Sequence, residues 1–552
     1  MTDDDSGWAT AANGDEPPDE FTAPTLGRLF LRSALLHTER PALWVDGQSV
    51  SYGELLSLAA PIAQTLIEVG FGEGTARCAV LGSRRLTDFV GILAASLARC
   101  IYVPLNARHP AQRLTQIMRD AEAQALVVDR NHLDTAYSVL SATPQPVLVL
   151  LPDSAAPPDW AAAVPHHRFV TQSALSRPQL DRLPQGNSDD GAYLLFTSGS
   201  TGTPKGVLVR NRNVMSYLRS VAARYAPTTG DRCTQLFDLT FDLSVHDMFL
   251  CWGAGATLYR IPDNARFAPR DFIRRHALTI WFSVPSTAAT MLGLRALRPG
   301  DFPSLRLSLF CGEALPKRLA LAWADAAPNA VVENLYGPTE ATIAVTAWRL
   351  PRDPDALAAS PDVLPIGAPL PGQVALAVSA SGDPGGEDDE GELCLAGSQV
   401  TDGYWRRPDL TAQHFVRFPW HDRIWYRTGD RVRYSRRHGL VFLGRLDRQV
   451  KIAGHRVELQ ELEAVLHRAA DANAAAIAWP LGPDGLARGI VGFVGKTART
   501  NDELLQACRD ALPPYAAPST IRRIDDWPLN TSGKTDHRRL RALLEAETCS
   551  SI

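Results

Sequence analysis

The sequence lacks any apolar run approaching the roughly 18–20 residues that a membrane-spanning helix needs, so it does not read as a helical membrane protein. It lacks net charge: 56 Lys and Arg stand against 60 Asp and Glu, leaving −4. No whole-chain field therefore draws a phosphate backbone, and nucleic-acid binding is disfavoured. It lacks a cationic or apolar leader, because Met1-Thr2-Asp3-Asp4-Asp5 has the wrong charge for a secretory or transit peptide. Its eight cysteines (Cys78, Cys100, Cys233, Cys251, Cys311, Cys394, Cys508 and Cys549) include no C-x-x-C pair and no histidine at zinc-ligand spacing. Disulfides and a structural metal are not expected, and buried thiols in a reducing compartment are. No short-period repeat is present. These absences leave a soluble, cytoplasmic, globular protein with no membrane and no nucleic-acid partner.

What is present is a chain of 552 residues, 45% hydrophobic and 21% charged, long enough for roughly two to four domains. Residues 1–22 are rich in Asp, Glu, Pro and Gly and read as a disordered tail. Leu26 to Leu36 and Tyr52 to Val69 have helical apolar spacing. Cys78 to Leu81, Ile101 to Leu105, Ala125 to Val128 and Val147 to Leu151 read as short buried strands, with a helix-like stretch between the first two. This alternation predicts an α/β protein with largely parallel sheets. Ala380 to Asp389 reads as a turn between two antiparallel strands. Near residue 447 a compact segment of about a hundred residues begins, with Glu458 to Ala469 as a helix and Gly489 to Val494 as a strand.

Five motifs carry chemistry. In the first, an apolar strand from Leu194 runs into Thr197-Ser198-Gly199-Ser200-Thr201-Gly202-Thr203-Pro204-Lys205-Gly206. Small residues let backbone N–H groups approach phosphate oxygens, hydroxyls add donors, and a Lys adds a point charge. It is not a P-loop, because Lys205 follows Pro204 and precedes Gly206. A plain surface loop is the competing reading. The second is Asn334-Leu335-Tyr336-Gly337-Pro338-Thr339-Glu340: an aromatic face for a base, a forced turn, and a carboxylate of the kind Mg²⁺ takes beside phosphates. The third, Tyr426-Arg427-Thr428-Gly429-Asp430, offers an Asp to ribose hydroxyls. The fourth runs from Phe442 through Arg445 and Asp447 to Glu458, alternating strands and turns before a helix. The fifth puts Lys534 on the tight loop Asn530-Thr531-Ser532-Gly533-Lys534. Taken singly, the last three also read as surface turns with solvated charges.

Taken together and in this order, the motifs resemble the adenylate-forming enzymes. More closely, the chain looks like the amino-acid adenylation domains of nonribosomal peptide synthesis and the D-alanine–carrier protein ligases. The resemblance runs from about residue 24 to 542 and includes Ser51-Tyr52-Gly53-Glu54-Leu55 and Tyr102-Val103-Pro104-Leu105-Asn106, where the family usually has Asp in place of Asn106. It implies a large N-terminal domain of stacked mixed sheets with helices, residues 23–446, and a small α+β C-terminal lid, residues 447–552, with Asp447 as the hinge. It implies ATP and Mg²⁺ as cofactors. The substrate carboxylate attacks the α-phosphate, giving an aminoacyl adenylate and pyrophosphate; a phosphopantetheine thiol on a carrier protein then takes the acyl group. Such chemistry is mainly positioning and charge neutralisation.

Carried over residue by residue, the resemblance makes Lys534 the catalytic lysine and Glu340 the Mg²⁺ position. Thr197, Ser198, Gly199, Thr201 and Lys205 match the phosphate loop. Asn334, Leu335, Tyr336, Gly337, Pro338 and Thr339 match the adenine and α-phosphate contacts, and Asp430, Phe442 and Arg445 complete the nucleotide site. Asp242 matches the anchor for a substrate ammonium, with a helix N-cap as its competing role. The matching pocket walls are Leu243, His246, Phe282, Leu309, Cys311, Leu335, Ile343 and Ala344. They are mostly apolar, and only a protonated His246 would bring a charge, so a small neutral amino acid is expected. Alanine comes first, then proline, glycine and serine. Nothing after Lys534 resembles a carrier domain, so a separate carrier protein is the expected partner, with Arg448, Lys451 and Arg456 as surface charges that could face it. The alternatives are an acyl- or aryl-CoA synthetase, against which Asp242 argues, and an idle nucleotide-binding protein, against which Lys205, Glu340, Asp430 and Lys534 argue together. A nucleic-acid ligase would need a basic patch that the chain lacks.

Overall fold

The computed structural model describes residues 19–198, 204–266, 268–482, 487–529 and 535–549. The chain divides into two compact units, the first of Met1–Ala107, Ile117–Phe196 and Gly206–Leu446, the second of Arg108–Gln116, Thr197–Lys205 and Asp447–Ile552. Among the described residues no helix is long and apolar enough to cross a membrane.

Local sequence explains much of the first unit. Helix Tyr52–Glu68 starts with a capping box in which the Ser51 hydroxyl accepts from the Glu54 N–H and the Glu54 carboxylate accepts from the Ser51 N–H at 2.7 Å. The four apolar runs read as strands are Arg77–Gly82, Ile101–Asn106, Ala125–Val128 and Leu148–Leu151, mutually parallel in a seven-stranded sheet. Helix Leu86–Leu97 makes the first crossover. A nine-stranded sheet has a parallel centre in the spatial order Pro41–Val45, Thr257–Arg260, Arg232–Gln235, Ile280–Ser283, Leu307–Phe310, Val331–Tyr336. A five-stranded antiparallel sheet contains Gln373–Val378 and Glu390–Gly397, joined by the turn read at Ala380 to Asp389. Fully buried Trp252, Trp281 and Trp323 fill the helix–sheet interfaces.

The tail reading needs one correction. Asp19–Thr22 form a turn of 3₁₀ helix, and Phe21 is 1% exposed in the main core. One aromatic ring buries enough apolar surface to order its neighbours, whatever the acidic composition around it. Residues 1–18 lie outside the described residues.

The second unit contains hairpin Gln449–Ile452/His455–Glu458, helix Leu459–Ala470, a three-stranded sheet of Ala474–Ala478, Ile490–Val494 and Thr520–Arg523, and helices Asn501–Ala511 and His537–Cys549. Arg448 makes two 2.8 Å hydrogen bonds to the Glu463 carboxylate and one to the Ala476 carbonyl. Arg448 is therefore not a freely solvated charge: it ties a strand to a helix. Cys78, Cys100, Cys233, Cys251, Cys311, Cys394 and Cys508 are free and buried.

Candidate functional site

The site of the first unit gathers at the carboxyl ends of the parallel strands, where open α/β sheets bind ligands. Phe282 and Leu309 are register partners on adjacent strands, and Leu309 is in turn opposite Glu333. Period-two alternation puts Cys311 and Leu335 on that same face. Phe282, Leu309, Cys311 and Leu335 are each at most 1% exposed.

Helix Leu243–Gly253 starts beside these strand ends, with Asp242 at its N-cap position but making no side-chain capping hydrogen bond. The Asp242 carboxylate instead accepts from the Ile343 N–H at 3.2 Å, across 101 residues of sequence. It is 7% exposed. Burial pushes its carboxyl up to about 6, partly offset by the Thr339 side chain and the Ile343 N–H, while the Glu340 charge adds to the rise. The capping alternative is thereby disposed of. Burial likewise holds the hydroxyls of Tyr102, Tyr193 and Tyr217 protonated, and the charge of Asp242 reinforces each.

One turn further on, His246 is 2% exposed, with Nδ1 2.7 Å from the Tyr217 hydroxyl and its ring 4.5 Å from that of Phe282. Burial pushes its pKa down to about 3. His246 is therefore neutral at physiological pH, which removes the one charge the sequence left open among the pocket walls. Leu243 is also buried.

The strand Val331–Tyr336 ends in the turn Gly337-Pro338, and a short 3₁₀ helix Thr339–Ala341 follows. A Cβ on Gly337 would lie 2.5 Å from Ala344 Cα, so only glycine fits. Thr342 and Ile343 both have left-handed backbone, φ 57° and 71°, which is strained for a β-branched residue. Gln399 pins them: its Nε2 donates to the carbonyls of Thr342 at 3.2 Å and Ala344 at 2.7 Å. The strained turn aims the Ile343 N–H at Asp242 and seats Ile343 and Ala344 in the core at 0% exposure.

Glu340 is 0% exposed, and its Oε1 accepts from the Tyr404 hydroxyl at 2.7 Å. Among the described residues no group of three or more His, Cys, Asp or Glu could hold a metal ion alone. The buried Glu340 carboxylate is itself the kind of ligand Mg²⁺ takes beside nucleotide phosphates. The Tyr336 hydroxyl donates to Asp430, whose other oxygen accepts from Arg445 Nη1 at 2.7 Å. Arg445 also donates to the Thr428 carbonyl at 2.9 Å. Asp430 is thus held by an aromatic and a guanidinium; Phe442 lies half-buried on the strand of Arg445. Asn334 Nδ2 donates to the Pro365 carbonyl at 2.8 Å, while its Oδ1 is buried with no partner among the described residues. Such an orphaned acceptor fits a ligand amino group, such as that of adenine.

In the second unit, Ser198 Oγ donates to the Arg456 carbonyl at 2.7 Å, and Thr197 Oγ1 is buried with no partner among the described residues. Lys205 is 6% exposed, and its charge acts with that of Arg456 against the burial that raises Glu458. Asp447 Oδ1 accepts from the Gln449 N–H at 3.1 Å. Gly199, Thr201 and Lys534 lie outside the described residues.

Sequence reasoning missed Tyr404, Tyr217 and Gln399, which hold the carboxylate, the imidazole and the strained turn. Their partners are 64, 29 and more than 50 residues away. Tyr404 alone carried a signal, as an aromatic after a glycine in Asp402-Gly403-Tyr404-Trp405. Asn106, the departure from the family pattern, donates to the Asp238 carboxylate; an ionised Asp there would meet a like charge.

Residues 30–405 match the family described as AMP-binding enzyme, and the chain belongs to that family. It is 34% identical over 530 residues to the L-proline–[L-prolyl-carrier protein] ligase of Streptomyces coelicolor, covering 94% of this chain and 96% of that protein. It is 30% identical to the delta-poly-L-ornithine synthetase of Acinetobacter baumannii, of which it spans only 37%. Among solved structures, it is similar to the Vibrio cholerae adenylation domain AlmE in complex with glycyl-adenosine-5'-phosphate. There the TM-score is 0.85 and the identity 34%, over 94% of this chain and 97% of that one. The mixed α/β architecture with a large N-terminal and a small C-terminal part is that of adenylation domains.

Proposed function

We propose that the protein is an AMP-forming amino acid–carrier protein ligase acting on a small neutral α-amino acid. The observation that carries this reading is Asp242: a buried carboxylate at the start of a helix that it does not cap. A lone ionised carboxylate so placed is costly unless a cation meets it, and the ammonium of an amino acid supplies one. Of the relatives that this chain matches along nearly its whole length, one is named a proline–carrier protein ligase and another is an adenylation domain in complex with a glycyl adenylate, which supports the small-substrate reading. Alanine, proline, glycine and serine form the candidate set, with alanine first by side-chain volume.

In this reading Asp242 holds the ammonium, and the substrate carboxylate attacks the α-phosphorus of ATP and displaces pyrophosphate. Glu340 would hold Mg²⁺, which neutralises phosphate charge. Asp430 and Arg445 orient the ribose, Tyr336 and Asn334 border the base, and Thr197, Ser198, Gly199, Thr201 and Lys205 line the phosphates. Lys534 bridges the carboxylate and phosphate. Residues 447–552 then turn about Asp447, and the thiolate of a separate carrier protein's phosphopantetheine attacks the acyl carbon, releasing AMP. Free, buried cysteines suit a cytoplasmic setting.

Amino-acid-dependent ATP–pyrophosphate exchange across L- and D-amino acids, with fatty and aryl acids as controls, tests the proposal. Exchange with one or more of the candidate set supports it. Exchange only with acids that lack an α-amine replaces it with the CoA-synthetase reading.

A further inference from the structure

His246 lies four residues after Asp242, so their side chains share one face of helix Leu243–Gly253. Its Nδ1 is engaged by the Tyr217 hydroxyl at 2.7 Å. Its Nε2 is buried and has no hydrogen-bond partner among the described residues. Phe282, whose ring centroid lies 4.5 Å from that of the imidazole, offers it only carbon.

A neutral imidazole has one donor and one acceptor nitrogen. If Tyr217 donates to Nδ1, Nε2 bears the proton; if Tyr217 accepts, Nε2 is a bare lone pair. A hydroxyl can pair with Nε2 in either case, because it both donates and accepts. Burial favours the neutral imidazole, so a charged side chain meets no standing opposite charge there.

We infer that His246 Nε2 selects a substrate whose side chain is a small hydroxyl, a β-hydroxy amino acid of the serine kind, with Tyr217 as the residue that positions the imidazole. This rests on the reading of Asp242 as the ammonium anchor and reorders the candidates within it. Volume alone ranks alanine first. Hydrogen bonding ranks serine first, because a methyl in place of the hydroxyl leaves the buried Nε2 unpaired. Sites that hydrogen-bond a substrate hydroxyl reject the analogue lacking it, whereas apolar pockets barely tell the two apart.

The test compares kcat/KM for serine and alanine, each as both enantiomers, in ATP–pyrophosphate exchange by the full chain. Wild type is expected to favour serine by about ten- to a hundredfold. His246→Leu should collapse that ratio, mainly through the KM for serine. His246→Gln, which keeps a hydrogen-bonding tip, should retain part of it. Tyr217→Phe should lower the ratio several-fold, which a merely structural loss would not do because it weakens both substrates alike. Alanine equal to or better than serine in wild type overturns the inference and leaves the Asp242 reading intact; no variant is needed for that outcome. A serine preference that His246→Leu does not change also overturns it. Exchange with amine-free acids alone overturns both readings.

Discussion

The Tyr404 hydroxyl donates a 2.7 Å hydrogen bond to Oε1 of Glu340, a carboxylate with no exposed surface. If Glu340 holds Mg²⁺ as proposed, the bond fixes the rotation of a group that would otherwise lose entropy on capturing the ion. Tyr404→Phe should lower kcat/KM for ATP by about tenfold, the scale of one hydrogen bond to a charged acceptor. The half-saturating Mg²⁺ concentration should rise, with activity largely regained at high Mg²⁺. A Mg²⁺ titration identical to wild type would remove Glu340 from the metal site.

Asp242 predicts a pH dependence of known sign. Its carboxyl is raised to about 6, and ammonium binding needs the ionised form. Log kcat/KM for the amino acid should therefore fall with unit slope as pH drops below about 6. His246, pushed down to about 3, adds nothing in that range. A profile flat between pH 5 and 7 would contradict the assignment.

The same shift sets a stability cost. A carboxyl raised on folding favours the folded state at low pH, and that favour is lost as pH rises through about 6. Without substrate, Asp242→Asn should be more stable than wild type at pH 8 by roughly 1–3 kcal/mol. The gap should close as pH falls toward 4. Paired urea melts at pH 8 and pH 4.5 check both the sign and the window.

Lys534→Ala should lower adenylation by about a hundredfold, the scale of one lost transition-state charge contact. Thioester formation from preformed aminoacyl adenylate should keep most of its rate. Equal losses in both half-reactions, measured separately, would take the bridging role away from Lys534.

Glu333 is 0% exposed and accepts from Arg224 at 2.8 Å, Arg349 at 2.7 Å and Tyr225 at 3.0 Å. It anchors the strand that ends in Tyr336. Glu333→Ala should cost about 2–4 kcal/mol, below the figure for a fully buried pair because both arginines keep some solvent. Chemical denaturation reads this directly, and a loss within experimental error would show the ion triad to be dispensable.

Much of the fold was legible because its causes are local. A short continuous apolar run marks strand Ala125–Val128, and period-3.6 apolar spacing marks helix Leu26–Leu36, within a few residues of chain. Ser51 and Glu54 announce a helix start in four letters. The acidic start misled for a related reason. Composition averages over a window, and the single ring of Phe21 decides the order of its neighbours.

By itself, the sequence determined the family, the parallel α/β plan and the residue types at each motif, because strand–turn–helix chemistry is written in short runs. Only the tertiary structure decided what those residues do to one another. Asp242 keeps a helix cap as its competing role until Ile343, 101 residues on, turns into a left-handed backbone and offers its N–H. His246 reads as a chargeable wall until burial neutralises it and Tyr217 takes one of its nitrogens. Burial and long-range pairing set protonation and orientation, and neither is a property of any stretch of sequence short enough to carry a pattern.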